Sequence, residues 1–97
     1  MPAGYTITTI TVNDREKYRE YARGAFPTME KHGCEVLVDE SEPQLLEGQW
    51  TGRRTIILKW PSRQAALDWY NSPEYRAVVE LRFAAAETNL VVVSGLN

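Results

Sequence analysis

Polar and apolar positions alternate with a period of two from about Tyr5 to Val12. Tyr5, Ile7, Thr9 and Thr11 fall on one face; Thr6, Thr8, Ile10 and Val12 fall on the other. The β-branched content of this run predicts a strand. The period then changes. Asn13-Asp14 offers a helix N-cap, and Tyr18, Tyr21, Ala22, Ala25, Phe26 and Met29 recur at helical spacing. Pro27 lies inside that pattern, where its missing donor and its ring predict a kink. His32-Gly33 reads as the helix end, with Gly33 as the left-handed C′ residue.

Cys34 to Asp39 reads as a short strand, Glu40-Ser41-Glu42-Pro43 as a polar break, and Gln44 to Glu47 as resumed extended chain. Gly48-Gln49-Trp50-Thr51-Gly52 has the glycine-bounded form of a hairpin loop. The strand after it runs from Arg53 to Trp60. Pro61 ends that strand and Ser62 caps a helix carrying Ala65, Ala66, Trp69 and Tyr70. Asn71-Ser72-Pro73-Glu74 restarts the helix, with Ser72 as cap, Pro73 in the first helical position and Glu74 at the positive end of the macrodipole. Tyr75, Val78, Val79, Arg82 and Ala86 continue it. Thr88 to Ser94 forms the last strand, centred on Leu90-Val91-Val92-Val93.

The order strand–helix–strand–strand–helix–strand is the β-α-β-β-α-β ferredoxin-like arrangement of an α+β domain, with one antiparallel sheet. Residues 1–97 form a single domain at this length. Right-handed crossovers put both helices on one face of the sheet. The other face has no cover within the chain, yet it is not polar. Ile56 and Leu58 alternate with Ile57, and Val91 and Val93 with Leu90 and Val92, as in strands buried on both sides. A domain this small buries only about 60–65% of the surface its unfolded chain exposes. A second copy packed sheet against sheet is the economical cover, and a homodimer through the sheet face is expected. The alternative is a monomer with an apolar open face.

Composition narrows the function classes. A net charge of −2 argues against a nucleic-acid or anionic-membrane partner, which would call for a basic balance. No run approaches 18 apolar residues, so no membrane span is expected. The opening MPAGYTITTITV lacks a basic segment and an apolar core, so a cytoplasmic location is expected. Cys34 is the single cysteine, unable to form an internal disulfide. With one histidine and no HExxH-like spacing, no metal site is expected. No GxGxxG or P-loop is present, and no cofactor is expected.

The segments GYTITTITVND, LLEGQW, RRTIILKWPSRQAALDWYNSPEYR and LVVVSGL resemble the domain of unknown function 1330 family, over nearly the whole chain. Asn71-Ser72-Pro73-Glu74-Tyr75 after Trp60-Pro61-Ser62 is the most specific part of the likeness. It implies a ferredoxin-like protomer of the dimeric α/β-barrel superfamily, in which two facing sheets form the barrel. It implies no settled activity. The wider superfamily includes cofactor-free monooxygenases, haem-handling proteins and small-molecule isomerases, and fold does not fix function among them.

Several residues are candidates for chemistry. A hairpin over 48–52 would bring Glu47 opposite Arg53 and Arg54. Arg54 could then orient a carboxylate or enolate through its planar fork, with a desolvated Glu47 as base; a plain cross-strand ion pair is the bland alternative. His32 could act as a base, or cap the helix whose negative end it occupies. Trp50, Trp60 and Tyr75 could wall a pocket for a flat organic molecule, or serve as core. Cys34 reads as a buried spectator.

The sequence thus points first to a homodimer that binds a small carboxylate- or carbonyl-bearing ligand through Arg54, Glu47, Trp50, Trp60 and Tyr75. The catalytic candidates are Glu47, Arg54 and His32. A cofactor-free monooxygenase or isomerase is the second reading, and a non-catalytic structural dimer the third.

Overall fold

The computed structural model describes residues 2–97. Strand β1 spans Gly4–Val12, helix α1 Arg15–Lys31, β2 Glu35–Glu40, β3 Arg54–Trp60, α2 Arg63–Tyr70, α3 Pro73–Ala85 and β4 Ala86–Ser94. The four strands form one sheet in the order β2-β3-β1-β4, and every neighbouring pair is antiparallel. This is the ferredoxin-like fold, with its second helix broken into α2 and α3.

Local chemistry sets the boundaries. Asp14 caps α1 by accepting from the Lys17 amide at 3.0 Å. At the other end the Cys34 amide donates to the Met29 carbonyl and the Gly33 amide to Glu30. These bonds form the Schellman motif that a C′ glycine permits, and Gly33 has the required positive φ of 80°. Ser62 caps α2 through the Ala65 amide, and Ser72 caps α3 through the Tyr75 amide. Pro73 sits at the start of α3, where no helical donor is lost. The helix around Pro27 runs on to Lys31, so this proline does not end it.

The hairpin of β2 and β3 departs from the pattern read in the sequence. Strand β2 pairs with β3 from Glu35↔Lys59 to Glu40↔Thr55, with a bulge between Val36 and Val38. The hairpin therefore closes at Glu40 and Thr55, and Gln44 to Glu47 is not a strand. A long loop over residues 41–53 replaces the expected five-residue turn. The polar break at Glu40–Pro43 marks where ladder pairing ends, and the chain beyond it never rejoins the sheet edge. The loop instead meets the sheet elsewhere. Gly52, at φ 86°, lies so close to β1 that a Cβ there would sit 2.8 Å from the Ile10 amide nitrogen. The Trp50 indole donates to Thr55 Oγ1 at 2.9 Å.

Pleating divides the sheet into two faces. Thr6, Ile10, Leu58 and Trp60 point to the helical layer and are buried, together with Tyr21, Ala25, Ala66, Trp69, Tyr75 and Val79 from the helices. Trp60 and Trp69 stack at 4.8 Å between centroids, and Trp69 and Tyr75 at 4.0 Å. The indoles also find polar partners: Trp60 donates to Thr6 Oγ1 at 3.1 Å, and Trp69 to Thr28 Oγ1 at 3.0 Å. On the other face Ile7 and Ile57 are only partly covered, and Val91 and Val93 are exposed.

Candidate functional site

A cavity of about 150 Å³ lies between the sheet and the helical layer. Thr8, Ile56 and Leu58 form its sheet side, and Ala25 and Met29 of α1 its roof. Trp69, Tyr75 and Arg82, all buried, also line it. Its outer end lies toward the edge strand, where Phe26, Val36 and Asp39 meet solvent. The volume is on the order of a site that takes one benzene ring.

The polar groups of this cavity are few and convergent. The hydroxyls of Tyr21 and Tyr75 are 2.7 Å apart and buried. Burial, and then the neighbouring Tyr75, raise the pKa of Tyr21 far above that of a free phenol. It is therefore a neutral hydrogen-bonding group at ordinary pH. Tyr18 also titrates above its usual value, chiefly through burial, despite the nearby Arg54 charge. Arg82 comes from the last turn of α3 and is only 5% exposed. Its guanidinium carbon is 5.9 Å from the Tyr21 ring centre and 5.3 Å from that of Phe83. Burial works against its charge, whereas the Tyr75 and Tyr21 oxygens favour it, and the net pKa is raised.

At the outer end Arg54 makes a two-pronged contact with Asp39. Nε donates to Oδ1 at 2.7 Å and Nη2 to Oδ2 at 2.8 Å. These bonds hold the Asp39 carboxyl below the ordinary carboxylate range. The same guanidinium stands 5.5 Å from the Tyr18 ring centre. Beyond Tyr18 a groove of about 400 Å³ is lined by Arg15, Arg19, Arg53 and Arg54.

The structure distributes the candidates read from sequence over both faces. Tyr75 lines the cavity, and Arg54 reaches it through its partner Asp39. Trp60 lies within the core beneath α2, bonded to Thr6, and is not part of the lining. Glu47 and Trp50 flank a shallow depression of about 420 Å³ with Leu45 and Leu46, and both are exposed. The expected meeting of Glu47 with Arg54 does not occur; Asp39 occupies that place because β2, and not the 44–47 segment, pairs with β3. His32 caps α1, its Nδ1 3.0 Å from the Thr28 carbonyl oxygen and its Nε2 3.9 Å from Glu74. It does not line the cavity. Burial, with help from Glu35, pushes the Cys34 thiol up to about 11, which suits a spectator.

Tyr18, Tyr21, Asp39 and Arg82 were the members that sequence reasoning missed. Arg82 did leave a signal. It follows Tyr75 and Val79 on the buried stripe of α3, where an arginine must find either a partner or a purpose.

Fold and site together define an α+β protein of ferredoxin-like topology with a compact aromatic cavity beneath its helices. The chain belongs to the family described as domain of unknown function (DUF1330), whose model matches residues 3–96. It is similar to a protein of unknown function from Rhodopseudomonas palustris, at TM-score 0.82 and 21% identity, over 99% of this chain and 84% of the other. A cofactor-independent oxygenase from Streptomyces nogalater, SnoaB, superposes at TM-score 0.66 with 8% identity, over 100% and 96% of the two chains. A dimeric ferredoxin-like protein of unknown function from Thermobifida fusca gives 0.55 at 10% identity, over 96% and 91%. No curated protein matches the chain.

Proposed function

We propose that this protein is a homodimer that binds a small organic molecule in the cavity between sheet and helices. The observation that carries the reading is the cavity itself. Its walls are largely apolar and aromatic, and three of its polar groups come from two helices: Tyr21 from α1, Tyr75 and Arg82 from α3. Sites of that composition are the usual form of small-molecule pockets, although this one is small among them. The ligand is correspondingly compact: a single ring or a short carbon chain bearing a carboxylate or carbonyl. Arg54 and Tyr75 take part at the two ends, Arg54 by ordering Asp39 at the opening. The apolar face that carries Ile57, Val91 and Val93 supports the dimer, as does the dimeric relative from Thermobifida fusca.

A thermal-shift series against aromatic and short-chain carboxylates and ketones tests the reading, with Ala25→Leu as the control that fills the cavity. The expected result is a rise in melting temperature for wild type with some members of the series. The same compounds should lose roughly tenfold or more in affinity on the filled variant, because two atoms cannot share one space. A rise that survives filling would move the site elsewhere, and a blank series would remove the ligand.

A cofactor-free oxygenase is the second reading, favoured by the likeness to the Streptomyces nogalater enzyme. A buried cation beside neutral phenols suits an enolate oxygen. Proton removal needs a base with a pKa near the working pH. Asp39 is the one carboxylate among the described lining residues, and Arg54 makes it a weaker base than usual. Binding is therefore the reading the geometry supports better. Oxygen uptake with a bound ketone or phenol distinguishes the two.

A further inference from the structure

Arg82 stands out among the charged groups of the molecule. It is 5% exposed, its Nε has no hydrogen-bond partner, and no carboxylate lies within ion-pair distance among the described residues. Every other guanidinium either reaches solvent or, like Arg54, is paired. The groups around Arg82 are the rings of Tyr21 and Phe83 and the oxygen of Tyr75, which accepts from its guanidinium. The negative end of α3 lies nearby and favours a cation there. Ring faces and a helix terminus soften the charge without cancelling it. A buried arginine is a permanent cation, and the group that normally answers it is an oxyanion.

We infer that Arg82 is the anion receptor of the cavity, and that the ligand is a compact organic monoanion whose carboxylate or enolate oxygen sits against the Arg82 guanidinium. This rests on the reading of the cavity as a ligand site and adds the charge of the ligand. Three observations converge on it. Arg82 lines the cavity, and its Nε is buried without a hydrogen-bond partner. The Tyr21–Tyr75 pair uses one hydroxyl proton between its own oxygens, which leaves the second to donate to a bound oxyanion. Asp39, the one carboxylate among the described lining residues, is paired with Arg54, so no free carboxylate of the lining competes for Arg82. The apolar middle of the cavity then takes the body of the ligand.

Isothermal titration of the full chain with benzoate and with benzamide tests the inference. The two differ little in shape, and only the first is charged. Benzoate should bind wild type roughly 10- to 100-fold more tightly, the range for hydrogen bonds to charged groups. Arg82→Met should reduce that ratio to about one while retaining benzamide binding. Arg82→Lys, which keeps a cation, should preserve part of the preference, and it stands in if the Met variant fails to fold. Benzamide equal to or tighter than benzoate on wild type would overturn the anion assignment and leave the pocket standing. If neither compound binds wild type, pocket and assignment fall together. A preference unchanged in Arg82→Met would place the anion on another group.

Discussion

At the scale of single residues, the helical layer depends on a few buried hydroxyls that satisfy larger neighbours. Thr28 Oγ1 donates to the Ala25 carbonyl at 2.6 Å and accepts from the Trp69 indole at 3.0 Å. Thr28→Val keeps the shape and strands that indole in the core. We expect a loss of about 1–3 kcal/mol, read from the urea midpoint, since an unsatisfied buried donor carries its full desolvation cost. Asp39 and Arg54 present a pH-dependent case. The folded carboxyl titrates below its unfolded value, so the pair stabilises the protein above the ordinary carboxylate range. That contribution disappears as pH falls through the depressed folded pKa. The difference in urea midpoint between wild type and Asp39→Asn should therefore be present near neutrality and vanish in acid. A difference that persists in acid would assign the effect to packing.

At the scale of elements, the chain breaks its second helix on purpose-built chemistry. Ser72 is buried, its hydroxyl donates to the Trp69 carbonyl at 2.7 Å, and it accepts from the Tyr75 amide. It thereby ends α2 and starts α3 with one side chain, and it positions Tyr75 for the cavity. Ser72→Ala should cost about 1 kcal/mol, near the middle of the range for N-caps. In thermal melts that is a fall of roughly 4–8 °C for a domain of this size. These signals were legible in the sequence because caps and helical spacing are local. Asp14, Gly33, Ser62 and Pro73 each act within a few residues. The 41–53 loop was not legible for the opposite reason. Two glycines and a tryptophan fit a tight hairpin, whereas the pairing of β3 with residues 35–40 is a tertiary choice. That single misreading exchanged Glu47 for Asp39 as the partner of Arg54. Arg82 escaped notice because it shares the spacing of the apolar stripe, and only the depth of α3 against the sheet shows that it is buried.

At the scale of the whole molecule, the two faces of the sheet have separate tasks. The helical face encloses the cavity, and the open face, where we propose that a second copy packs, leaves Ile57 partly covered and Val91 and Val93 exposed. Val91→Asp should shift the mass measured by light scattering from dimer to monomer, since a charge at the centre of an apolar interface lacks a partner. A wild-type protein that is already monomeric would contradict the dimer and leave the cavity untouched. The central claim concerns the cavity, and it is tested most directly by a nuclear magnetic resonance titration of the labelled protein with benzoate. The account predicts saturable shifts concentrated on Tyr21, Ala25, Tyr75 and the Arg82 side chain. Shifts gathered instead on the Val91 face or the 41–53 loop, or none that saturate, would contradict it.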